Sequence, residues 1–228
     1  LETLLTKSRQ SNPHKQPLVI TESLFSMEGT TAPIKVISEL CLKYDSKLLV
    51  DEAHAFGVMG PEGRGESFGL KKPISIISGT FGKAFGSGGA FLATDKITGE
   101  NLIQNCGAFR YTTALAPPLC ASALAALNLI ESNPSWGSEL KKKSIALRDR
   151  LSQIGWQRPA GEGPIISIIL GSDELATDYQ KRLEAQGILT VAIRPPTVPE
   201  GKSRLRLVIR RNTPVQAFEK LIEVLKNK

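Results

Sequence analysis

Short apolar runs alternate with helical patterns through the first half of the chain. Leu18-Val19-Ile20 predicts a strand, Pro33 to Tyr44 a helix with Ile34, Ile37, Cys41 and Tyr44 on one face, and Lys47 to Asp51 a second strand. Ile74 to Ser78 and Ala90 to Ala93 continue the series of strands. Strands separated by a helix or a long loop predict a mostly parallel sheet, and ligands of such sheets gather beyond the carboxyl ends of the strands. Asp51 stands at one such end, and Lys83 follows another.

Past Tyr111-Thr112-Thr113 the pattern changes. Pro117-Pro118 opens an alanine-rich helix to about Ile130, and Asn133-Pro134 breaks it before a basic helix that reaches about Leu151. Ile165 to Leu170 reads as a strand, Leu175, Tyr179 and Leu183 mark a helix ended by Gly187, and Ile188 to Ile193 reads as the next strand. Leu205, Leu207 and Ile209 alternate with Arg204, Arg206 and Arg210, which predicts a strand with one apolar and one charged face. Thr213-Pro214-Val215-Gln216 has the form of a capping box, with Val215, Phe218, Leu221, Ile222 and Leu225 facing inward along the helix it starts. The change of pattern divides the chain into residues 1–115, part of a larger domain, and residues 116–228, linking helices and a small C-terminal α/β domain.

Composition narrows the partners. The 228 residues are 41% hydrophobic, enough to bury a substantial core, and carry a formal charge of +7. Lys and Arg are scattered among the acids with no basic–aromatic interleaving, so the charge predicts a basic surface open to anionic small molecules or proteins, and not a nucleic-acid partner. Cys41, Cys106 and Cys120 are odd in number and lack metal or redox spacing, which points to a reducing compartment, the cytoplasm. No apolar run approaches membrane-spanning length, so no membrane association is expected.

Chemistry concentrates in two stretches. Ser78-Gly79-Thr80-Phe81-Gly82-Lys83-Ala84-Phe85-Gly86-Ser87-Gly88-Gly89 holds a lysine among small, poorly solvating residues, which favour the neutral amine that a nucleophile requires. Upstream, Val50-Asp51-Glu52-Ala53-His54 ends an apolar run in an aspartate with a histidine three residues on. A lysine amine condenses with an aldehyde, an aspartate keeps a pyridine nitrogen protonated, and a histidine can donate to a phenolic oxygen; together they suggest pyridoxal 5'-phosphate (PLP). The Thr80 hydroxyl and the loop amides are candidate phosphate ligands. Gly82-Lys83 is not a P-loop, because Ile77 stands where that motif needs glycine and Ala84 where it needs Ser or Thr. Asp51-Glu52-Ala53-His54 also spells a helicase metal-binding box, which would need a P-loop lysine that the first 50 residues do not hold.

Glu22-Ser23-Leu24-Phe25-Ser26-Met27-Glu28-Gly29, Val50 to Gly57, Gly63-Arg64-Gly65 and Thr80-Phe81-Gly82-Lys83 resemble the α-oxoamine synthases, PLP enzymes that join an amino acid to an acyl thioester with loss of carbon dioxide. The resemblance runs the length of the chain. It implies an aminotransferase-like α/β fold (fold type I), with residues 1–115 the C-terminal part of the PLP-binding large domain. It implies Lys83 as the Schiff-base lysine, Asp51 as partner of the pyridinium nitrogen, His54 and Ser26 as partners of the phenolic oxygen, Ala53 under one ring face, Thr80 on the phosphate, and Thr113 reaching the phosphate of a neighbouring subunit in a homodimer. Arg194 and Thr197, in Ala192-Ile193-Arg194-Pro195-Pro196-Thr197-Val198-Pro199, are implied to bind substrate. That string is similar to the member of the family that condenses L-alanine with a pimeloyl thioester of coenzyme A or a carrier protein in biotin biosynthesis. A member using glycine and acetyl-coenzyme A, or a non-catalytic fragment, is the alternative.

The chain begins where the family's chains are already under way, and Leu1-Glu2-Thr3-Leu4-Leu5 reads as the interior of a helix. His14, in a polar loop, does not match the position of the aromatic or histidine side chain that the resemblance implies on the second ring face. A fragment whose isolated chain is an incomplete enzyme is therefore expected, with the second ring-face contact and much of the thioester site outside it.

Overall fold

The structure, a computed structural model, describes residues 1–70 and 74–226. It divides into two compact units: Leu1–Leu24 with Thr31–Gly137, and Phe25–Thr30 with Ser138–Lys228. The first unit thus runs past residue 115 to take in the alanine-rich helix, and residues Phe25–Thr30 belong with the second.

In the first unit, α1 (Glu2–Ser11) precedes β1 (Leu18–Glu22), α2 (Ile34–Lys43) and β2 (Lys47–Asp51). β3 (Ile76–Thr80) and β4 (Ala90–Thr94) complete a four-stranded sheet of order β1-β2-β3-β4. β1, β2 and β3 run parallel, with Asp51 in register with Glu22 on one side and Ser78 on the other. β4 runs antiparallel to β3, because Gly-rich residues 81–89 turn the chain straight back where a helix would have carried it round. The sheet is therefore mostly parallel, as expected, with an antiparallel last pair.

Leu48 and Val50, alternate residues of β2, are buried against Ile34 and Cys41 of α2, with Val19, Ile37 and Ile74 around them. The helix stripe and the strand face are the two halves of one apolar layer. α1 is tied to the end of α2 by the Lys43–Glu2 ion pair at 2.7 Å and the Tyr44 hydroxyl on Glu2. Lys43 and Tyr44 hold the Glu2 carboxyl below its usual range.

α3 (Lys96–Asn105), short α4 (Gly107–Arg110) and α5 (Pro117–Glu131) follow β4. α3 carries no buried residue and holds Gly99 near its middle, so apolar periodicity does not announce it. Its start is set by Asp95, which accepts from Thr98 N–H and the Thr98 hydroxyl. α5 opens with Pro117 at its first position, as expected.

The second unit is built from α6 (Trp136–Gln153, whose first two residues close the first unit), β5 (Ile165–Gly171), α7 (Asp173–Ala185), β6 (Val191–Ile193), β7 (Ser203–Val208) and α8 (Val215–Lys226). The strands form an antiparallel sheet of order β5-β7-β6. Leu151, Ile166, Ile168, Leu183, Leu205 and Leu225 are fully buried within the unit, and Trp156 packs edge-on against Tyr179 while donating to the Leu225 carbonyl. Of the run expected from Ile188, only Val191–Ile193 pairs.

The face of β7 carrying Arg204 and Arg206 is charged, as expected, but covered: Arg204 is only 5% exposed and pairs with Glu28 at 3.2 Å, while Arg206 Nε donates to the Ser26 carbonyl at 2.6 Å. Residues Phe25–Thr30 cover that face, which alternation along β7 alone cannot reveal. The segment comes close because Gly29 (φ +72°) has no side chain; an added Cβ would lie 2.1 Å from the Ile165 carbonyl oxygen. Thr213 does not close a forward capping box, since its hydroxyl accepts from Arg210 N–H at 3.0 Å. Val215, the first residue of α8, is exposed, Phe218 is half-buried, and the fully buried stripe starts six residues on with Leu221, Ile222 and Leu225.

Cys41, Cys106 and Cys120 are free thiols, and burial pushes the Cys41 thiol up. Among the described residues no helix is long and apolar enough to cross a membrane, and no group of His, Cys, Asp and Glu is placed to hold a metal ion.

Arg148 of α6 is the least expected core residue. Fully buried, it donates to the carbonyls of Gly163 (2.9 Å), Ile165 (2.7 Å), Ala160 and Ser144 (both 3.2 Å), fastening the approach to β5. Burial lowers its guanidinium pKa to about 10. Arg148→Met keeps the apolar stem but strips donors from four carbonyls, and should destabilise the second unit by about 2–4 kcal/mol. Urea unfolding followed by Trp156 fluorescence measures the loss; a change below about 0.5 kcal/mol, the range of an ordinary surface substitution, would refute it.

Candidate active site

Alternation along β2 decides which way its last residues point. Leu48 and Val50 face the core, so Asp51 turns to the opposite side and Glu52 back to the core side. Asp51 is half-buried. Its Oδ1 accepts from Ala53 N–H at 2.7 Å, and Oδ2 has only a 3.4 Å contact with the Ser78 hydroxyl, leaving that oxygen available to a further donor. The Ala53–His54 turn closes when Ala55 and Phe56 N–H donate to the Glu52 carbonyl at 2.9 and 2.7 Å. That turn sets His54 on the carboxyl side of the parallel strands.

Lys83 arrives from β3. The loop is pinned at its base, where Phe81 N–H donates to Gly89 O and Ser87 N–H to Phe81 O, both at 2.9 Å. Thr80 holds it as well: its hydroxyl donates to Gly89 O (3.0 Å) and accepts from Gly82 N–H (3.1 Å). Ser87 is tied to the Leu119 carbonyl of α5 at 2.7 Å. Under the loop lie four aromatic rings, with Phe56 stacked on Phe85 at 4.8 Å and Phe81 and Phe91 each within 5.4 Å of a neighbour. Such a cluster resists deformation more than a loop of small residues would alone. Gly79 is required by it, since an added Cβ would stand 2.4 Å from the Phe91 ring.

The two stretches meet at Lys83 Nζ and His54 Nε2, 2.7 Å apart and close enough to share a proton. Thus Asp51, Ala53, His54, Thr80 and Lys83 are brought together at the carboxyl ends of β2 and β3. Ser26, Arg194 and Thr197 belong to the second unit. Ser26 uses its carbonyl to accept from Arg206. Arg194 follows β6 on an exposed turn held by Thr197 N–H donating to the Arg194 carbonyl at 3.1 Å, and its guanidinium has no partner among the described residues. Thr113 lies exposed in the extended stretch before α5.

Two contributors are not among the residues to which the sequence motifs assign a chemical role. One is the aromatic cluster, whose Phe residues read as unconnected core. The other is Glu52, 2% exposed, whose Oε1 accepts from Ser67 N–H (2.7 Å) and the Ser67 hydroxyl (2.6 Å), and whose Oε2 accepts from the Ser23 hydroxyl (2.6 Å) and Glu66 N–H (3.2 Å). The period of β2, continued one residue past Asp51, would have found it.

The chain is similar to known proteins over nearly its whole length. The chain is 39% identical to the 8-amino-7-oxononanoate synthase of Methylobacillus flagellatus over 99% of its own length and 56% of that protein. A serine palmitoyltransferase from S. paucimobilis, solved with bound PLP and myriocin, matches 99% of this chain and 58% of its own with a TM-score of 0.89 at 26% identity. The 8-amino-7-oxononanoate synthase of Francisella tularensis matches 97% of this chain and 65% of its own with a TM-score of 0.81, also at 26% identity. The chain spans about half the length of the curated relatives it matches. The fold is the aminotransferase-like fold that the motifs implied, and with residues 1–225 matching the family described as aminotransferase class I and II, the chain belongs to that family.

Proposed function

We propose that the protein is a PLP-dependent C-acyltransferase that condenses L-alanine with a pimeloyl thioester, with loss of carbon dioxide, to give 8-amino-7-oxononanoate in biotin biosynthesis. The observation that carries the reading is the 2.7 Å approach of Lys83 Nζ to His54 Nε2 beside Asp51, at the carboxyl ends of parallel strands. The residues present suit the cofactor: a primary amine with a proton partner, a carboxylate with one oxygen lightly held, and a glycine-rich loop rich in backbone amides. When bound, PLP supplies an aldehyde that condenses with a primary amine and a ring that withdraws electrons from the carbon to be acylated.

The chain's own residues supply the rest. Lys83 would hold the aldehyde and, once displaced by the substrate amine, take and return the proton at the substrate's Cα, with His54 beside it to share that proton. Asp51 Oδ2 would hold a proton on the ring nitrogen, its carboxylate aimed by the Ala53 N–H bond to Oδ1. Ala53, with no side chain beyond Cβ, leaves room against one ring face. Thr80 serves chiefly by shaping the loop, and its role as a phosphate ligand would require exchanging the Gly89 carbonyl for the ligand. Arg194, unpartnered among the described residues and exposed, offers a planar fork to the alanine carboxylate, with Thr197 beside it. Ser26 would stand by the phenolic oxygen. In a homodimer, Thr113 would reach the neighbour's phosphate. The 39% identity to an 8-amino-7-oxononanoate synthase over 99% of this chain supports alanine and a pimeloyl thioester as the reading of the substrates. The basic surface suits an anionic thioester carrier, and the free thiols suit the cytoplasm.

Three measurements test this. Borohydride reduction of the PLP-loaded full-length protein, followed by peptide mass mapping, should leave a pyridoxyl group on the peptide carrying Lys83, and Lys83→Ala should abolish turnover; labelling at Lys96 would refute the assignment. Asp51→Asn should slow turnover while leaving the KM for alanine nearly unchanged, since the carboxylate acts on the ring nitrogen and not on the substrate. Arg194→Ala should weaken alanine use by about 1.5–3 kcal/mol, the range for a hydrogen bond to a charged group, chiefly through KM. An unchanged KM and kcat would make Arg194 a surface residue and the substrate assignment wrong.

A further inference from the structure

We infer that Glu52 is a positioning residue of this site, a carboxylate that fixes the turn on which Asp51 and His54 are carried. The inference rests on the functional reading above and assigns a role to a residue that does not itself reach the cofactor. Glu52 occupies the core side of β2, in line with Leu48 and Val50, where an apolar side chain would cost no desolvation. It has no ion-pair partner among the described residues. A carboxylate in such a place is a poor way to gain stability, because hydrophobic residues of similar volume commonly do as well or better. What it adds is direction.

Every polar group of Glu52 is engaged, and each bond reaches a different part of the site's frame. Its N–H continues the ladder to Ser78 O on β3 at 2.8 Å, its carbonyl receives Ala55 and Phe56 N–H across the turn holding His54, and its carboxylate reaches forward to residues 66 and 67 and back to Ser23 just beyond β1. Ser23 N–H in turn donates to the Asp51 carbonyl at 2.9 Å. The loop can reach the carboxylate because of Gly65 (φ +88°), where an added Cβ would lie 2.9 Å from the carboxylate carbon. Gly63-Arg64-Gly65, one of the family-like motifs, thereby gains a physical purpose, which is to bring two backbone donors against Glu52.

Those donors make the test sharp. Glu66 N–H and Ser67 N–H each point at a different oxygen, so the amide of Glu52→Gln can accept from only one and must set its NH₂ against the other. In the full-length protein, Glu52→Gln should weaken PLP affinity by about tenfold or more, the equivalent of one lost hydrogen bond to a charged group. It should also displace the midpoint at which the bound cofactor's visible absorbance titrates with pH, a signal that depends on how Asp51 and His54 are presented. Glu52→Asp, one methylene short, should not restore either value. Should Glu52→Gln fail to fold, Ser67→Ala, which removes one hydroxyl donor and no backbone group, should move both readouts in the same direction by less. Wild-type affinity and midpoint in a folded Glu52→Gln, or in Ser67→Ala when Glu52→Gln does not fold, would overturn the inference even with a lowered melting temperature. Failure of the wild-type protein to take up PLP would instead overturn the functional reading, and this inference with it.

Discussion

The alternation of side chains along one central parallel strand governs the chemistry. β2 is buried between β1 and β3, and its period of two sends Leu48, Val50 and Glu52 to the core side and Asp51 to the other. A one-residue slip would exchange these roles, placing Asp51 against Ile34 and Cys41 and Glu52 at the site. The slip is opposed from both sides, by apolar packing of α2 on Leu48 and Val50 and by the directional bonds of the Glu52 carboxylate. Packing fixes which face is inside; the hydrogen bonds fix where the strand stops and how the next turn leaves it.

The lysine loop solves a different problem. A connection rich in glycine and serine has a high cost in conformational entropy when ordered, and glycine raises it further. Here the loop closes an antiparallel pair, so β3 and β4 hold its two ends in register, and Phe56, Phe81, Phe85 and Phe91 give it an apolar floor. Glycine is required at Gly79 by the approach of Phe91, and at Gly89 by φ +93° with Leu115 against it. Small residues above and large rings below leave one long side chain, Lys83, standing on a stiff base.

Much of this was legible in the chain itself. β2 and the apolar stripe of α2 follow from pattern, and Lys83, Asp51 and His54 could be singled out because their chemistries belong together. What could not be read has physical causes. α3 rests on an Asp95 cap and not on an apolar stripe, and an exposed helix leaves no periodic trace. Arg204 and Arg206 read only as a charged face because alternation reports the faces of a strand but not what covers them, and their cover is a segment some 180 residues away in sequence. Thr213 obeys the spacing of a capping box yet turns its hydroxyl to Arg210, since a short polar side chain chooses among several nearby backbone groups. Glu52 is visible in the motif, but next to Asp51 at a strand end it reads as the outer half of a solvated Asp-Glu pair.

The buried arginines also change the meaning of the net charge. A formal +7 suggests a surface that gathers anions, yet Arg148, Arg204 and Arg206 use their guanidinium groups on carbonyls and on Glu28, inside the second unit. Burial lowers the pKa of Arg148 and of Arg206, the expected direction for a cation removed from water, and the carbonyl oxygens offset part of that cost. These three side chains act as multivalent donors that organise loops, a role for which lysine's point charge is poorly shaped. Arg194 differs from them in the respect that matters for recognition. It is exposed, follows a short strand that holds its backbone, and keeps its planar fork uncommitted among the described residues, so of these four arginines it alone retains its full hydrogen-bonding capacity for a ligand carboxylate.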